Sequence, residues 1–235
     1  MKKSLLLGLL LFVFMGLFFV YLFSYHNSDA GKFKKEYESI NGEKLESGKV
    51  VRSINIPGNN PMKYASEEDI IRLVDEKESF VVYFGFARCP WCRSVIPNLI
   101  RVARDLNIDT IYYVDVLDIR DTLMVDNDGK VSVSKKGSDG YYQLLNIFGD
   151  VLSDYTLSDD NDKEVTTGEK RIYAPNIVSV VNGKVQDMTT GISKKQTDGY
   201  MKLTSEMNQE SYQMIKCSIQ CVVDAQKVCS AKSMC

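Results

Sequence analysis

The chain opens with a long apolar stretch and then changes character. Leu5 to Phe23 carries no charge on any face. At about 1.5 Å of helical rise per residue, a run of this length crosses a hydrocarbon core of about 30 Å. Beyond it, residues 28–61 are polar and read as a stalk or lead-in, with Val50 to Ile56 as a candidate short strand. Ser66-Glu67-Glu68-Asp69 has the form of a capping box opening a helix, with Ile70, Ile71 and Val74 on its apolar face. Phe80 to Phe86 is a nearly continuous apolar run rich in β-formers, the pattern of a central strand buried on both faces. Val95, Leu99, Val102 and Leu106 recur at helical spacing, and Thr110 to Val116 reads as the next strand. Strand, helix, strand makes a βαβ unit, normally parallel and right-handed.

Between about 117 and 170 the simple order breaks. Asp126-Asn127-Asp128-Gly129 lies between two β-prone runs and predicts a hairpin, Tyr141 to Val151 has helical periodicity, and Ser158 to Lys170 is polar and turn-rich. The region reads as an insertion between two halves of a fold. After it, Ile177 to Val181, the Asn182-Gly183 turn and Lys184 to Asp187 predict another hairpin, and from Ser193 the chain looks helical through Met201, Met207 and Ile215. The expected organisation is an N-terminal transmembrane anchor or signal (1–27), a lead-in (28–61), an α/β domain (62–210) and a cysteine-rich helical tail (211–235).

Composition narrows the function. A net charge of −2 leaves no basic excess to neutralise phosphates, so a nucleic-acid partner is not expected. His26 is the sole histidine and lies beside the apolar run, so the globular part has no imidazole to serve as a catalytic base. The Asp-rich stretches lack calcium-loop spacing, and no metal or cofactor is expected there. Six cysteines, an even number, suggest disulfides and an oxidising compartment. Lys2 and Lys3 favour a cytoplasmic amino terminus, Lys32, Lys34 and Lys35 weaken that bias, and the cysteines tip the domain outward. The expectation is a single-pass membrane protein, held in lipid by its first helix, with an extracytoplasmic domain. The alternative is a secretory signal cut near Ser28-Asp29-Ala30, giving a secreted protein.

Cys89-Pro90-Trp91-Cys92 follows the apolar strand directly and opens the helix. That setting places Cys89 where unpaired amides and the helix dipole favour an anion, lowering a thiol pKa from about 8.5 into the range of about 3.5–7.5. Pro90 suits the first helical turn, where its missing amide has no partner to lose. Arg88 adds a neighbouring positive charge. Cys89 is thus the expected attacking thiol and Cys92, a turn further on, the resolving one. Two other readings stay open: half of a zinc site completed by tail cysteines, and an inert structural disulfide.

With these residues in view, the chain resembles the thioredoxin superfamily, and within it the bacterial bacteriocin transport accessory or thioredoxin-family proteins. The resemblance rests on Val82-Tyr83-Phe84-Gly85-Phe86, on the C-P-W-C motif and on Ala174-Pro175-Asn176-Ile177, and spans roughly Tyr64 to Glu210. It implies a central mixed sheet flanked by helices, with the insertion placed before a cis-proline strand. It also implies that Pro175 is that cis-proline, that Ala174 offers its backbone to an extended substrate, and that protein thiols and disulfides are the substrates, with an unidentified membrane or extracytoplasmic electron partner. Asn182-Gly183-Lys184 and Gly191 match the family's last hairpin. The sequence departs from thioredoxin in carrying Tyr83 where the family has a buried aspartate, in Pro90-Trp91, and in the insertion. Family potentials run from about −270 to about −120 mV, and an intermediate protein is expected. A non-catalytic module that binds extended peptides during secretion is the alternative from a different class.

Cys217 and Cys221 are four apart on a predicted helix, and Cys229 and Cys235 follow. A nested pairing, Cys217 with Cys235 and Cys221 with Cys229, would fold the last segment back as a hairpin and act as a structural staple. A second redox pair and a metal site are the other readings of these four.

Overall fold

The computed structural model describes Met15 and residues 28–126, 129–158 and 164–232, with side chains to 225 in the last helix. Apart from Met15, the apolar run Leu5 to Phe23 lies outside the described residues. No helix among the described residues is long and apolar enough to cross a membrane.

In chain order the elements are α1 (Asp29–Glu38), β1 (Met62–Tyr64), α2 (Glu67–Asp75), β2 (Phe80–Gly85), α3 (Pro90–Leu106), β3 (Ile111–Asp115), β4 (Thr122–Val125), β5 (Val131–Lys135), α4 (Asp139–Phe148), β6 (Asp154–Ser158), β7 (Glu164–Lys170), β8 (Asn176–Val181), β9 (Lys184–Thr189) and α5 (Ser205–Lys232). Five strands form one sheet in the order β1-β3-β2-β8-β9. β1 and β2 run parallel to β3, β8 runs antiparallel to β2, and β9 antiparallel to β8. This is a mixed α/β architecture, a central mixed sheet flanked by helices, consistent with a thioredoxin-like fold.

The continuous apolar run of β2 is explained by its place at the centre. Val81 and Tyr83 face one side, where they meet Phe33 and Tyr37 of α1, Val95, Ile96 and Leu99 of α3, and Ile215 and Ile219 of α5. Phe80, Val82 and Phe84 face the other, against Ile70 of α2 and Tyr141, Leu144 and Phe148 of α4. With both faces covered there is no polar alternation to read. The Ser66–Asp69 capping box is present as predicted. Asn182 and Gly183, at φ 51° and 71°, make the tight β8–β9 turn. A Cβ at residue 183 would stand 2.3 Å from the Val74 carbonyl oxygen, so the turn needs glycine for space as well as for φ.

Four expectations are corrected. First, the lead-in is no stalk. Ser28 caps α1, and Phe33 and Tyr37, four apart, are fully buried. Burying such side chains contributes roughly 1.5–3 kcal/mol each. The following loop is tied down in turn: Asn41 exchanges two hydrogen bonds with the Ile54 backbone, and Ile54 and Ile56 enter the same core. Val50 to Ile56 forms no named strand; β1 lies later, at Met62–Tyr64. Second, the region 117–170 is not wholly an insertion. The β4–β5 hairpin expected around Asp126–Gly129 is there, but α4 is the helix that covers Phe84. Third, the segment 158–170, read as turns, supplies strand β7 of a second hairpin with β6.

Fourth, there is no separate tail. α5 buries Tyr212, Ile215, Ile219 and Val222 in the main core, a stripe at helical spacing. It runs unbroken from Ser205 to Lys232. Cys221 and Cys229 therefore lie eight residues apart on one helix, about 12 Å at the standard rise, beyond the roughly 7 Å that a disulfide spans between Cα atoms. The nested hairpin pairing does not fit this geometry. Cys217 and Cys221 are free thiols, the first exposed and the second half-buried. Cys235 lies outside the described residues.

Candidate active site

The site sits where β2 ends and α3 begins. Gly85 closes the strand, and Cys89 is the N-cap of α3, its Sγ accepting the Cys92 amide at 3.2 Å. Pro90 takes the first helical position. The two cysteines thus share one turn, with Cys89 3% exposed and Cys92 fully buried. The Cys89 thiol also donates to the Ala174 carbonyl oxygen at 3.3 Å. That contact places the start of β8 against the motif, and the Ala174–Pro175 peptide is cis.

The two thiols are electrostatically unequal. Interaction with the Cys92 thiol, the amides of Cys92 and Trp91, and the charge of Arg120 lower the Cys89 pKa against the opposing effect of burial. Burial, and then the neighbouring Cys89, push the Cys92 thiol far up. One sulfur is therefore prepared to be a thiolate and the other to remain a thiol, as division into attacking and resolving groups requires.

The supporting charge is not the one expected. Arg88 is half-exposed and its guanidinium is taken by Glu43 at 2.9 Å. Arg120, from the segment after β3, lies with its guanidinium 5.2 Å from the Phe86 ring centroid and contributes positive charge at Cys89. Nothing in the local sequence marks it, because it reaches the site from another element. Arg171 stands nearby, paired to Asp121 at 3.3 Å and stacked 3.9 Å from the Tyr155 ring, pinning the second hairpin to the fold.

Beneath the motif, sequence reasoning missed more. Tyr83 and Tyr37 are fully buried with hydroxyls 3.1 Å apart, and both pack in the same core cluster as Cys92, whose thiol helps to raise the Tyr83 pKa. Arg93, next to Cys92, is also fully buried; it donates to the carbonyl oxygens of Arg52 at 2.6 Å, Tyr37 at 2.8 Å and Ala87 at 3.0 Å, and to Asn41 Oδ1. Above the motif an open groove is lined by Trp91, Tyr173, Ala174, Pro175, Ile192 and Lys194. Of the tail cysteines, Cys221 contacts Ser179 on β8 and Cys217 is exposed, so neither is part of this site; the Cys229 side chain and Cys235 lie outside the described residues. Among the described residues no cluster of potential metal ligands forms.

Fold and site together define an α/β protein with a dithiol at the head of a helix, packed against the start of an antiparallel strand. No protein-family model matches the sequence, and no curated protein does. Among solved structures, thioredoxin O2 from Arabidopsis thaliana in its oxidised state is similar at 16% identity and a TM-score of 0.30, over 55% of this chain and 82% of that one. So distant a likeness says nothing of activity, which has to be argued from the site.

Proposed function

We propose that this chain is a thiol–disulfide oxidoreductase that exchanges disulfides with protein substrates through Cys89 and Cys92. The observation that carries the reading is the Cys89 sulfur at the N-terminus of α3, held by the Cys92 amide, with its pKa lowered beside a buried partner thiol. A Cys89 thiolate attacks a substrate disulfide, the substrate's second sulfur leaves, and Cys92 then displaces the first to close the Cys89–Cys92 disulfide. The groove at Trp91 and Pro175, with the Ala174 backbone at its floor, suits an extended peptide carrying that disulfide. The direction of net electron flow depends on the partner that reoxidises or reduces the pair. The resemblance to bacteriocin transport accessory proteins, together with the apolar run Leu5 to Phe23, supports a membrane-anchored, extracytoplasmic place of action, or a secreted one if that run is a cleaved signal.

Insulin reduction tests the activity and trapping tests the roles. The protein should reduce insulin with turnover, Cys92→Ser should accumulate a mixed disulfide with substrate, and Cys89→Ser should accumulate none. Binding of unfolded peptide without turnover would instead support the non-catalytic peptide-binding module. Equal trapping by both variants would show that the nucleophile is misassigned.

A further inference from the structure

We infer that Tyr83 and Tyr37 form a buried phenol pair that hydrogen-bonds the Cys92 thiolate each time the Cys89–Cys92 disulfide opens or closes. The inference rests on the oxidoreductase reading and gives its resolving step a specific partner.

The Cys92 sulfur is fully enclosed in the same core cluster as Tyr83 and Tyr37, where the Cys89 thiol and the Tyr83 phenol are the side-chain groups that act on it. Burial makes a charge on that sulfur costly, yet the exchange passes through one. Tyr83 is positioned to meet it. Its ring stacks on Tyr113 with centroids 5.7 Å apart and planes 22° from parallel. Its hydroxyl passes beneath Gly85: a Cβ there would stand 2.2 Å from the phenol oxygen, so glycine leaves the hydroxyl its place. Tyr37 completes the pair at 3.1 Å from α1, and its own carbonyl is held by Arg93, the residue after Cys92.

The pair works as a donor chain. Both phenol pKa values are driven far up by burial, so neither group is a base; each keeps its proton and can only lend it in a hydrogen bond. With Cys92 as a thiolate, Tyr83 donates to sulfur and Tyr37 donates to the Tyr83 oxygen, each bond strengthening the next. With Cys92 as a thiol, both hydroxyls can turn, S–H giving to Tyr83 and Tyr83 to Tyr37. The chemistry balances within the exchange. The Cys92 sulfur bonds to Cys89 Sγ, the bond from Cys89 to the substrate sulfur breaks, and the departing substrate sulfur takes the electron pair and the proton that Cys92 relinquished. In reverse, a substrate thiolate attacks Cys89 and Cys92 leaves as the thiolate that Tyr83 meets.

Single-turnover reaction with oxidised glutathione separates the steps: attack by Cys89 forms a mixed disulfide with glutathione, and Cys92 then releases it. Rapid acid quench and mass spectrometry follow both. Tyr83→Phe, which keeps the ring and removes the hydroxyl, should leave the attack rate near wild type and slow release about tenfold or more, so that the mixed disulfide accumulates. Tyr37→Phe should slow release less, and the double variant no more than Tyr83→Phe alone, since Tyr37 acts through Tyr83. Unchanged release in both single variants, or attack and release slowed alike, would overturn the inference and leave the oxidoreductase reading intact. Wild-type protein that forms no mixed disulfide would instead overturn that reading.

Discussion

Replacing Arg93 by methionine should destabilise the protein without touching either cysteine. The guanidinium is fully buried and donates to four oxygens, three of them backbone carbonyls, on three separate segments: the end of α1 with its loop, the chain around Arg52, and the turn at Ala87. Methionine fills most of the volume and satisfies none of those acceptors. A hydrogen bond to a charged group is worth about 1.5–3 kcal/mol, so the gross loss is large. It is offset by the several kcal/mol no longer spent on burying a charge. A net loss of about 3–5 kcal/mol remains, since four buried or part-buried acceptors lose their donor at about 1–3 kcal/mol each. For a chain of this size each kcal/mol moves the melting temperature by about 2–4 °C, so a fall of roughly 10 °C is expected by differential scanning calorimetry on the oxidised protein. Limited proteolysis should then cut first in the loop after α1, around Lys44 and Lys49, because Arg93 holds Asn41 and Arg52. Arg93→Lys should recover only part of the loss, since one ammonium cannot reach acceptors on three segments. Melting of Arg93→Met within about 2 °C of wild type would refute this account of how the N-terminal segment is fastened.

Three other outcomes are expected. In the reduced protein, iodoacetamide should label Cys89 with a midpoint below that of an ordinary thiol and leave Cys92 unlabelled well into alkali. The linked stability follows in sign: the depressed Cys89 pKa adds stability above an ordinary thiol's pKa that is lost as pH falls through its folded value, whereas the raised Cys92 pKa costs stability as pH rises beyond about 8.5. Denaturant melts of the reduced protein across this range check both signs. Ile219→Ala should cost about 2–5 kcal/mol, because that side chain is fully buried between α5 and the sheet; a cost under about 0.5 kcal/mol would restore the view of α5 as an appended tail. Peptide mapping under non-reducing conditions should find Cys89 joined to Cys92 and no Cys221–Cys229 bond within a molecule, and recovery of that bond would show that α5 breaks before Cys229.

The parts of the fold that were legible are those where local chemistry and global role agree. The β2 run, the capping box at Ser66, the motif heading α3 and the Asn182-Gly183 turn each state their structure within a few residues. α1 did not, because its buried stripe is only Phe33 and Tyr37 set among lysines and glutamates, a pattern that a polar stalk shares. β6 and β7 pair as a ribbon outside the main sheet with mostly exposed side chains; β6 alternates only through Tyr155 and Leu157 over five residues, and β7 has Val165 as its one aliphatic residue. For α5 the cysteine spacing suggests an appended tail, whereas the stripe of Tyr212, Ile215, Ile219 and Val222 is the signal that places the helix in the core. At the site, the cysteines and Pro175 were legible as a motif. Arg120, Tyr37 and the burial of Arg93 were not, since each depends on what distant segments bring together.

The packing of α1 also sets how far the site can travel. A stalk of residues 28–61 would let a tethered domain sweep a radius on the order of 100 Å. With Ser28 already capping a core helix, only residues 24–27 separate it from Phe23, a span of at most about 17 Å. On the proposal that Leu5 to Phe23 is anchored in a bilayer, the start of α1, and with it the domain that α1 packs into, is held within that distance of the lipid surface. Its substrates are then chains met at that surface, as they emerge from or lie along the membrane, and encounter is set by diffusion in two dimensions.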